Sequence, residues 1–466
     1  MNITLINPPI TPEERYGSGV GVAGGHQLPL GVCYIAAYLR REGHQVKIID
    51  AEAEEIFDYG EIVSKIKSFK TEILGITCCT VSFYRAIALA KRIKANIDIP
   101  IILGGPHVTA MPEYSMSFEE FDYGVLREGE RTITELVNAI ENKKSVSKIK
   151  GIVYRERKGK VKITKPREYI KDLDSLPLPA RDLVKMRLYK PPATTYKKLP
   201  VANIITSRGC PNQCLFCDKN VFGCVYREHS AEYVVQEIED LIKNYGIKEI
   251  AFVDDTFLVN KNRVIKIMDL MKTRGIHLPW TCMARVNNVD ENLLRRMKES
   301  GCWHISYGIE SGNERILKLI NKGITKNQVK RAVYLTNRAG IECEGFFMLG
   351  HPTDTIETIR ETIDFAKSLP LSEIAVTLTT PIPGTALYKV AKQYGTLDER
   401  DWSKFSYWYP IYVTKGLSAE YLKKMSGRFY KEFYFRPSVI WKHLKQIDNI
   451  DNLKRLIVGL RAVMST

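Results

Sequence analysis

The sequence predicts an α/β protein with two units: a doubly wound parallel sheet, and then a partial TIM-like barrel of six β/α repeats. Short apolar runs alternate with amphipathic helical segments through residues 1–150, and the alternation resumes between about residues 198 and 413. Parallel neighbours in a sheet need long crossover connections, which helices supply. Past residue 416 the chain becomes aromatic and basic at helical spacing, which predicts a helical C-terminal region.

Length and composition limit the class of protein. The chain has 466 residues, of which 44% are hydrophobic and 26% charged, and this is typical of folded domains rather than disordered chains. No run is long enough to cross a membrane, and residues 1–6 enter a strand without the basic head of a signal peptide. Ten cysteines, several of them in apolar runs, favour a reducing compartment. We therefore expect a cytoplasmic protein.

The basic residues limit the partners. A net charge of +16 favours anions such as nucleic acid, lipid headgroups or acidic metabolites. Lysine and arginine are spread along the chain, and no helix concentrates them on one face as a groove-binding helix would. We expect no stable nucleic-acid partner.

The first unit, residues 1–150, contains five strands separated by helices. The predicted strands are Asn2–Ile6, Val46–Ile49, Ile73–Thr77, Ile101–Leu103 and Tyr123–Leu126. The predicted helices run from near Pro29 to Gly43, over Glu61–Phe69 and Tyr84–Ala95, and from near Thr132. Sheets of this kind bind ligands beyond the carboxyl ends of their strands.

The loops at those carboxyl ends are rich in small and polar residues. Glycine there allows a bulky ligand to approach the backbone closely, and helix amino termini favour phosphate. The loops carry Gly17, Gly19, Gly21, Gly24 and Gly25; Cys78, Cys79, Thr80 and Ser82; Gly104, Gly105 and His107; and Glu128, Gly129 and Glu130.

Residues 151–193 form a predicted packed linker that begins with a hairpin across the basic turn Lys158–Lys160. The second unit, residues 194–415, follows. Its predicted strands are Val201–Thr206, Glu249–Val253, Trp280–Ala284, Trp303–Gly308, Glu344–Leu349 and Ile374–Leu378. A partial barrel of this kind has its active site at the carboxyl ends of these strands.

A cysteine loop follows the first of these strands. Cys210, Cys214 and Cys217 are spaced C-x3-C-x2-C and place three thiolates on one loop. A structural zinc ion needs four ligands, whereas three cysteines can hold a four-iron cluster and leave one iron open to a substrate. The alternative is a zinc knuckle completed by Cys224 or His229.

This cysteine spacing, with Phe216 before the third cysteine, resembles the signature of the radical S-adenosylmethionine (SAM) enzymes. The resemblance implies a 4Fe-4S cluster whose open iron chelates the methionine part of SAM. Reduction of the cluster then cleaves SAM to a 5′-deoxyadenosyl radical, and the protein holds both cofactors in place. It also implies a low-potential electron donor such as flavodoxin or ferredoxin.

The same resemblance implies contacts to SAM at the ends of the barrel strands. The amino group of SAM is expected near the segment after the second strand, its carboxylate at the arginine that ends the third, its ribose after the fourth, and its adenine near the fifth and sixth. Each acidic residue among them has an alternative role as a helix cap. The residues are Asp254, Asp255, Thr256, Arg285, Glu310, Ser311, Leu349 and Pro383.

The first unit, taken with the cysteine loop downstream, resembles the cobalamin-binding domain that precedes the radical SAM domain in one large class of these enzymes. The D-x-H-x-x-G sequence that supplies a histidine to cobalt in many cobalamin proteins is absent. We therefore expect cobalamin without a protein histidine on cobalt; the alternative is a domain that has lost the cofactor. Candidate contacts to the corrin or its nucleotide tail are Thr80, Ser82, Gly104, Gly105 and His107, the last of which could also be an ordinary loop histidine.

The resemblance implies hydrogen abstraction from an unactivated carbon, followed by methyl transfer from methylcobalamin. A radical cyclase or rearrangement without methyl transfer is the first alternative, by similarity to anaerobic porphyrin-ring cyclases. A methylthiotransferase would need a second cluster on Cys33, Cys78 and Cys79, but adjacent cysteines in a strand point in opposite directions. A zinc-stabilised nucleic-acid-binding protein is the remaining alternative.

The substrate is not identified by any motif. We expect a small molecule or a lipid-like or tetrapyrrole-like molecule. Residues 416–466 either cover the mouth of the barrel or rest on a membrane surface, because basic and apolar residues alternate at helical spacing over Lys454–Val463.

Overall fold

The structure is a computed structural model that describes residues 1–17, 24–156, 159–192, 195–444 and 450–465. Two glycines of the predicted glycine-rich loop, Gly19 and Gly21, lie outside the described residues, as does Lys158 of the predicted basic turn.

The first sheet has seven strands in the order β2-β1-β3-β4-β5-β6-β7. The strands are β1 (Asn2–Asn7), β2 (Gln45–Asp50), β3 (Ile73–Thr77), β4 (Ile101–Gly104), β5 (Tyr123–Val125), β6 (Ile152–Arg155) and β7 (Val161–Ile163). The first five are parallel, which confirms the predicted doubly wound sheet. Their carboxyl ends share one edge.

The hairpin of β6 and β7 is a correction to the predicted division of the chain. β6 pairs with β5 in antiparallel register, Tyr123 opposite Tyr154, so the hairpin belongs to the first sheet and not to a separate linker. The reason is that β5 would otherwise leave its backbone N–H and C=O groups unpaired at the sheet edge.

Helices cover both faces of this sheet. Phe83, Ile87 and Ala90 of one helix pack on one face, and Val32 and Leu39 of another pack on the opposite face. The helices are α1 (Pro12–Tyr16), α2 (Leu30–Arg41), α3 (Tyr59–Ser68), α4 (Phe83–Lys94), α5 (Pro106–Ala110), α6 (Pro112–Ser115) and α7 (Glu130–Glu141).

The second sheet has six parallel strands, each paired with the next along the chain, as a partial barrel requires. The strands of this unit are β8 (Val201–Ile204), β9 (Ser207–Arg208), β10 (Arg227–Glu228), β11 (Glu249–Phe252), β12 (Trp280–Ala284), β13 (Cys302–Glu310), β14 (Glu342–Leu349) and β15 (Glu373–Leu378). β9 and β10 form a separate antiparallel pair around the cysteine loop. The six predicted strands are confirmed.

The crossover helices of the barrel begin at side-chain caps. Ser230 accepts the backbone N–H of Tyr233 at the start of α8, and Thr325 forms a capping box with Gln328 at the start of α12. The helices are α8 (Ala231–Tyr245), α9 (Lys261–Thr273), α10 (Glu291–Glu299), α11 (Glu314–Leu319), α12 (Lys326–Arg338), α13 (Ile356–Ser368) and α14 (Ala386–Tyr394).

After the barrel the chain returns to the first sheet. Trp402, Phe405 and Ile411 join the hydrophobic core that contains α4, so residues 402–411 pack against both units. The remaining elements are β16 (Gly395–Leu397), β17 (Tyr412–Thr414), α15 (Ala419–Tyr434), α16 (Pro437–Leu444) and α17 (Ile450–Ser465). Within the described ranges, no helix is both long enough and apolar enough to cross a membrane.

Candidate functional site

A cavity of about 840 Å³ lies between the carboxyl edge of the first sheet and the carboxyl end of the barrel. Thr77, Gly104 and Glu128 line it from the sheet, and Asp218 and Thr377 line it from the barrel. The two edges that each fold offers to a ligand therefore face one another across one space.

The cysteine loop is fixed to the barrel by backbone hydrogen bonds. The N–H of Leu215 donates to the carbonyl of Ile320 over 2.9 Å, and the carbonyl of Leu215 accepts the N–H of Leu387 at 2.8 Å. The side-chain amide of Asn321 donates to the carbonyl of Gln213 at 2.9 Å. These contacts hold the middle of the loop over the turn at residues 320–323.

The three cysteines have different environments. Cys214 is buried, Cys210 half-buried and Cys217 exposed. A hydrogen bond from Cys217 and the positive charges of Lys322 and Arg285 lower the pKa of the Cys214 thiol to about 6, against the effect of burial. The same hydrogen bond raises the pKa of Cys217. Cys214 is therefore the cysteine most readily present as a thiolate.

No group of three or more His, Cys, Asp or Glu side chains in the described ranges is placed to hold a single metal ion. Cys224 is exposed, and the Nδ1 atom of His229 lies 3.1 Å from the carboxylate of Asp174. The zinc-knuckle alternative therefore lacks its four-ligand site in the part of the chain described here. A four-iron cluster does not need the sulfurs to converge on one point, because each cysteine binds a different iron.

Asp254 has a position that the sequence did not indicate. One of its carboxylate oxygens accepts hydrogen bonds from the Thr206 backbone N–H (3.0 Å) and hydroxyl (2.9 Å) and from the Ser207 hydroxyl (2.5 Å). Its side chain is 0% exposed. Asp254 thus ties the end of β11 to the start of the cysteine loop through Oδ1, whereas its Oδ2 is buried without a hydrogen-bond partner among the described residues.

Glu310 and Arg285 converge beside the cysteine loop. Lys322 Nζ donates to Glu310 Oε1 over 2.6 Å, and the Arg285 guanidinium donates to the backbone carbonyl of Lys322 and, over 3.6 Å, to Cys214 Sγ. Glu310 has a φ of +67°, a left-handed conformation that non-glycine residues rarely adopt and that often occurs at functional sites.

Lys322 was missed by the sequence reasoning. It lies on a turn in which Asn321 and Gly323 both have positive φ angles, 52° and 68°. An Asn-x-Gly turn after a short helix is visible in the sequence, but nothing local indicates that its lysine reaches Glu310.

The other predicted SAM contacts differ in burial and in hydrogen bonding. Asp255 is exposed at the barrel mouth, although the surrounding protein raises the pKa of its carboxyl. Thr256 is buried, and its hydroxyl has no partner among the described residues. In contrast, Ser311 is bonded to Thr362 (Oγ to Oγ1 3.2 Å) and is buried. The remaining two, Leu349 and Pro383, are also buried.

His107 is a second correction. It is 0% exposed, its ring centroid lies 4.1 Å from that of Phe83 and 5.8 Å from that of Trp402, and its Nδ1 lies 3.2 Å from Thr80 Oγ1. Burial lowers the pKa of His107 to about 4, so the ring is neutral. It does not line the cavity. The predicted contact of His107 with the corrin or the nucleotide tail does not agree with this position, because aromatic packing encloses the ring.

The other residues predicted to contact cobalamin do line the cavity: Thr80, Ser82, Gly104 and Gly105. A Cβ added at Gly104 would meet no neighbour closer than 4.0 Å, so this glycine leaves a shelf that any side chain would fill. Gly105 has a φ of +100°, and a Cβ there would lie 2.5 Å from the carbonyl oxygen of Cys78, so only glycine fits.

The sequence reasoning also missed the aromatic wall of the cavity. Phe405, Tyr407 and Trp408 line it, although they follow the barrel in sequence. Desolvation of its phenol, together with the negative charges of Cys217, Asp218 and Cys79, raises the pKa of Tyr407 to about 12. Tyr407 therefore lies between the cysteine loop and the sheet-side loops. Only tertiary packing brings it there.

The comparisons with known proteins agree with this geometry. The radical SAM superfamily matches residues 204–366, and the B12 binding domain matches residues 18–137. An uncharacterised methyltransferase of Pyrococcus horikoshii is 39% identical, over 99% of this chain and 98% of that protein. The chain belongs to the cobalamin-binding radical SAM enzymes. Anaerobic magnesium-protoporphyrin IX monomethyl ester cyclase of Rubrivivax gelatinosus is 28% identical, over 94% of this chain and 78% of that protein.

A solved structure shares the fold along nearly the whole chain. The radical enzyme OxsB, determined with aqua-cobalamin and S-adenosylmethionine bound, gives a TM-score of 0.77 at 17% identity over 99% of this chain and 72% of that one. The predicted cofactors of this radical SAM enzyme are confirmed: a 4Fe-4S cluster, SAM and cobalamin.

The residues present fit these cofactors. The cysteine loop offers soft donors with one buried thiolate, and Arg285 Nε and Thr256 Oγ1 are buried polar atoms without a partner among the described residues. The glycine shelf and aromatic wall enclose a space suited to a large flat ring. Cys33 is buried and does not line the cavity, so it does not join Cys78 and Cys79 as a second cluster would require.

Proposed function

We propose that the protein is a radical SAM methyltransferase that methylates an unactivated carbon. The supporting observation is the shared cavity, which the sheet-side loops line from one side and Arg208 and Asp218, on either side of the three cysteines, line from the other. When bound, the cluster and SAM supply a 5′-deoxyadenosyl radical, and cobalamin supplies a methyl group. The protein holds the substrate between the two and excludes water.

The proposed residue roles follow from the site geometry. Cys210, Cys214 and Cys217 hold the cluster, with Arg285 donating a hydrogen bond to the Cys214 sulfur. Glu310, held by Lys322, accepts hydrogen bonds from the ribose hydroxyls of SAM. On the sheet side, a second group receives the corrin: Thr80, Ser82, Gly104 and Gly105.

The proposed substrate is a small molecule of the lipid or tetrapyrrole class. The cavity wall is mainly apolar, and Phe222, Phe405 and Trp408 present rings to it. Flat or extended apolar molecules gain most from such a wall. Radical SAM enzymes need a reductant, and the net charge of +16 favours an acidic one-electron carrier such as flavodoxin or ferredoxin.

The test uses anaerobically purified holoenzyme with SAM that carries a labelled methyl group. Candidate acceptors come from metabolites that accumulate in cells lacking the protein. Methyl transfer predicts labelled product together with S-adenosylhomocysteine and 5′-deoxyadenosine. Cyclisation, the alternative favoured by the 28% identical relative, would give 5′-deoxyadenosine without label in the product. That second pattern would refute methyl transfer and leave the radical SAM assignment intact.

We also propose that the protein is cytoplasmic and that its C-terminal helices contact an anionic membrane surface. The ten cysteines are free thiols, as in a reducing compartment. Residues 436–466 contain six basic and two acidic residues. Aromatic and aliphatic side chains beside such charges favour binding at the headgroup level. Among the described residues, the exposed large apolar side chains from position 435 onward are Phe435, Ile440, Trp441, Leu444, Ile457, Leu460 and Met464.

Sedimentation with vesicles tests this contact. Phosphatidylcholine vesicles containing phosphatidylglycerol should retain the protein, and pure phosphatidylcholine vesicles should retain less. Leu460→Lys should weaken retention, whereas Tyr334→Lys, which replaces an exposed aromatic residue on α12, should not. Equal retention of all three proteins would count against the membrane contact.

A further inference from the structure

Two arginines and two glutamates meet, buried, where the cysteine loop reaches the first sheet. Arg208 lies two residues before Cys210. Glu128 lies in the loop after β5, and Glu130 is the first residue of α7. Arg208 Nη1 donates to Glu128 Oε1 over 3.0 Å, and Nη2 donates to Glu130 Oε1 over 2.6 Å. Each of these three side chains is at most 6% exposed. A single guanidinium therefore joins the cysteine loop to the carboxyl edge of the sheet.

Arg227 completes this four-charge joint. It lies on β10, opposite Arg208 on β9, and its Nη1 donates to both oxygens of Glu128 over 2.8 and 2.9 Å. The backbone of Ile170 takes part as well: its N–H donates to Glu128 Oε2 over 2.8 Å, and its carbonyl accepts Arg227 Nη1 at 2.7 Å. Glu128 is thus hydrogen-bonded both to β9 and β10, which flank the cysteine loop, and to the segment that follows the β6–β7 hairpin.

The surroundings of the joint keep Arg208 in one orientation. Its guanidinium carbon lies 5.2 Å from the ring centroids of both Tyr34 and Phe222, one from each unit. Gly209 follows with a φ of +84°, and a Cβ there would lie 2.4 Å from the Val225 carbonyl oxygen. The backbone between Arg208 and Cys210 is therefore tightly enclosed, so a displacement of Arg208 would also displace Cys210.

Stability alone is a weak reason for such a joint. Burying charges has a desolvation cost that a well-packed apolar contact avoids, whereas charged pairs with fixed hydrogen-bond geometry specify one arrangement. Arg208, Glu128 and Glu130 all line the cavity between the two units. The joint therefore lies where a change in geometry would change the separation of the two cofactors.

We propose that Arg208, Arg227, Glu128 and Glu130 are positioning residues that set the distance between the cysteine loop and the sheet side of the cavity. The inference rests on the proposed function, because that distance determines whether a substrate radical formed beside the cluster lies within reach of the methyl donor. A looser joint uncouples SAM cleavage from methyl transfer.

The test compares wild-type holoenzyme with Glu130→Gln and Arg208→Lys. Glu130→Gln removes one charge at nearly constant shape, and Arg208→Lys keeps the charge but loses the two-pronged donation. The geometric readout is the microwave power needed to saturate the cob(II)alamin signal in electron paramagnetic resonance, since the reduced cluster relaxes that signal in a distance-dependent way. The chemical readout is the amount of 5′-deoxyadenosine formed per methylated product.

Both variants should keep their iron and cobalamin, shift the saturation power, and raise the ratio of 5′-deoxyadenosine to product by about tenfold to a hundredfold, as small misplacements of reacting groups do. Arg40→Gln is the matched control. It breaks an exposed ion pair with Asp182 that also links α2 to the segment before the barrel, with side chains 45% and 53% exposed. Exposed pairs contribute little, so neither readout should move.

Unchanged saturation power in variants that keep both cofactors would overturn the proposal. Loss of iron or cobalamin from both variants would also overturn it, because the joint would then serve folding rather than positioning. If wild type gives no labelled product, the proposed methyl transfer fails, but the saturation measurement still decides whether the joint sets the distance.

Discussion

The two sides of the candidate site, the sheet loops that line the cavity and the charged residues beside the cysteine loop, are built by different means. On the sheet side, Gly104 leaves open space, and Thr80 and Ser82 line the cavity together with it. On the barrel side, Arg285, Lys322 and Glu310 form a chain of charged contacts directly against the cysteine loop. The sheet thus offers shape to a large ring, whereas the barrel offers charge and hydrogen bonds to a small zwitterion.

Each side of the site also has one buried histidine behind it, in a similar setting. The Nδ1 atom of His107 lies 3.2 Å from the hydroxyl of Thr80, and the Nδ1 atom of His351 lies 3.3 Å from that of Thr379. Both rings are 0% exposed. Burial lowers the pKa of His107 to about 4 and, with the charge of Lys322, that of His351 to about 3. Histidines at strand ends can thus be structural even beside a cofactor site.

The largest effect should come from the barrel side. Changing Cys210, Cys214 or Cys217 to alanine should remove most cluster iron and abolish SAM cleavage. This loss should exceed the roughly 100-fold decrease in metal affinity or activity that follows mutation of a residue hydrogen-bonded to a metal ligand. Iron and acid-labile sulfide analysis with a 5′-deoxyadenosine assay would measure this. Cys224→Ala should keep both, because Cys224 is exposed and outside the three-cysteine set. Zinc in the wild type, lost in Cys224→Ala, would restore the zinc-knuckle alternative.

On the sheet side, cobalamin binding should depend on the size of the side chain at position 104 rather than on charge. Gly104→Leu places a side chain on the shelf without striking the protein, and should weaken cobalamin binding by at least about tenfold, or about 1.4 kcal/mol. Gly104→Ala should have a smaller effect. Cobalamin absorbance after gel filtration would report retention, with cluster iron as the control for folding. Full retention in the leucine variant would mean that the corrin does not rest on this shelf.

Lowering the pH should destabilise the folded protein through these two buried histidines. Since the pKa of His107 is lowered in the folded state, the unfolded chain binds more protons between about pH 6.5 and pH 4, and the free energy of unfolding should fall across that range as pH decreases. The loss is on the order of 3 kcal/mol for this group. Urea unfolding of His107→Phe should show a shallower fall than wild type. An equally steep fall in His107→Phe and in wild type would show that this histidine does not cause the pH dependence.

The smallest expected effect concerns cobalt itself. His107 is enclosed by Phe83 and Trp402 and lies outside the cavity, so His107→Ala should weaken cobalamin retention at most slightly. The electron paramagnetic resonance spectrum of cob(II)alamin should lack splitting from an axial imidazole nitrogen in wild type and variant alike. Splitting that is present in wild type and disappears in the variant would place this histidine on cobalt and reverse our assignment.

The sequence by itself determined both folds and the cysteine site. Strand and helix periodicity depends on local burial, and the spacing of Cys210, Cys214 and Cys217 places the thiolates on one loop whatever surrounds it. The predicted barrel strands and the five parallel sheet strands agree with the structure for this reason.

Only the tertiary structure decided which polar residues remain available to a ligand. Asp254 and His107 both follow the expected pattern in sequence. In the structure, residues distant along the chain enclose them: Thr206 is hydrogen-bonded to Asp254, and Trp402 packs against His107. Likewise Tyr407 and Lys322 enter the site through packing between segments far apart in sequence. Burial and hydrogen-bond pairing depend on such neighbours, and these are properties of the folded molecule that a local motif does not contain.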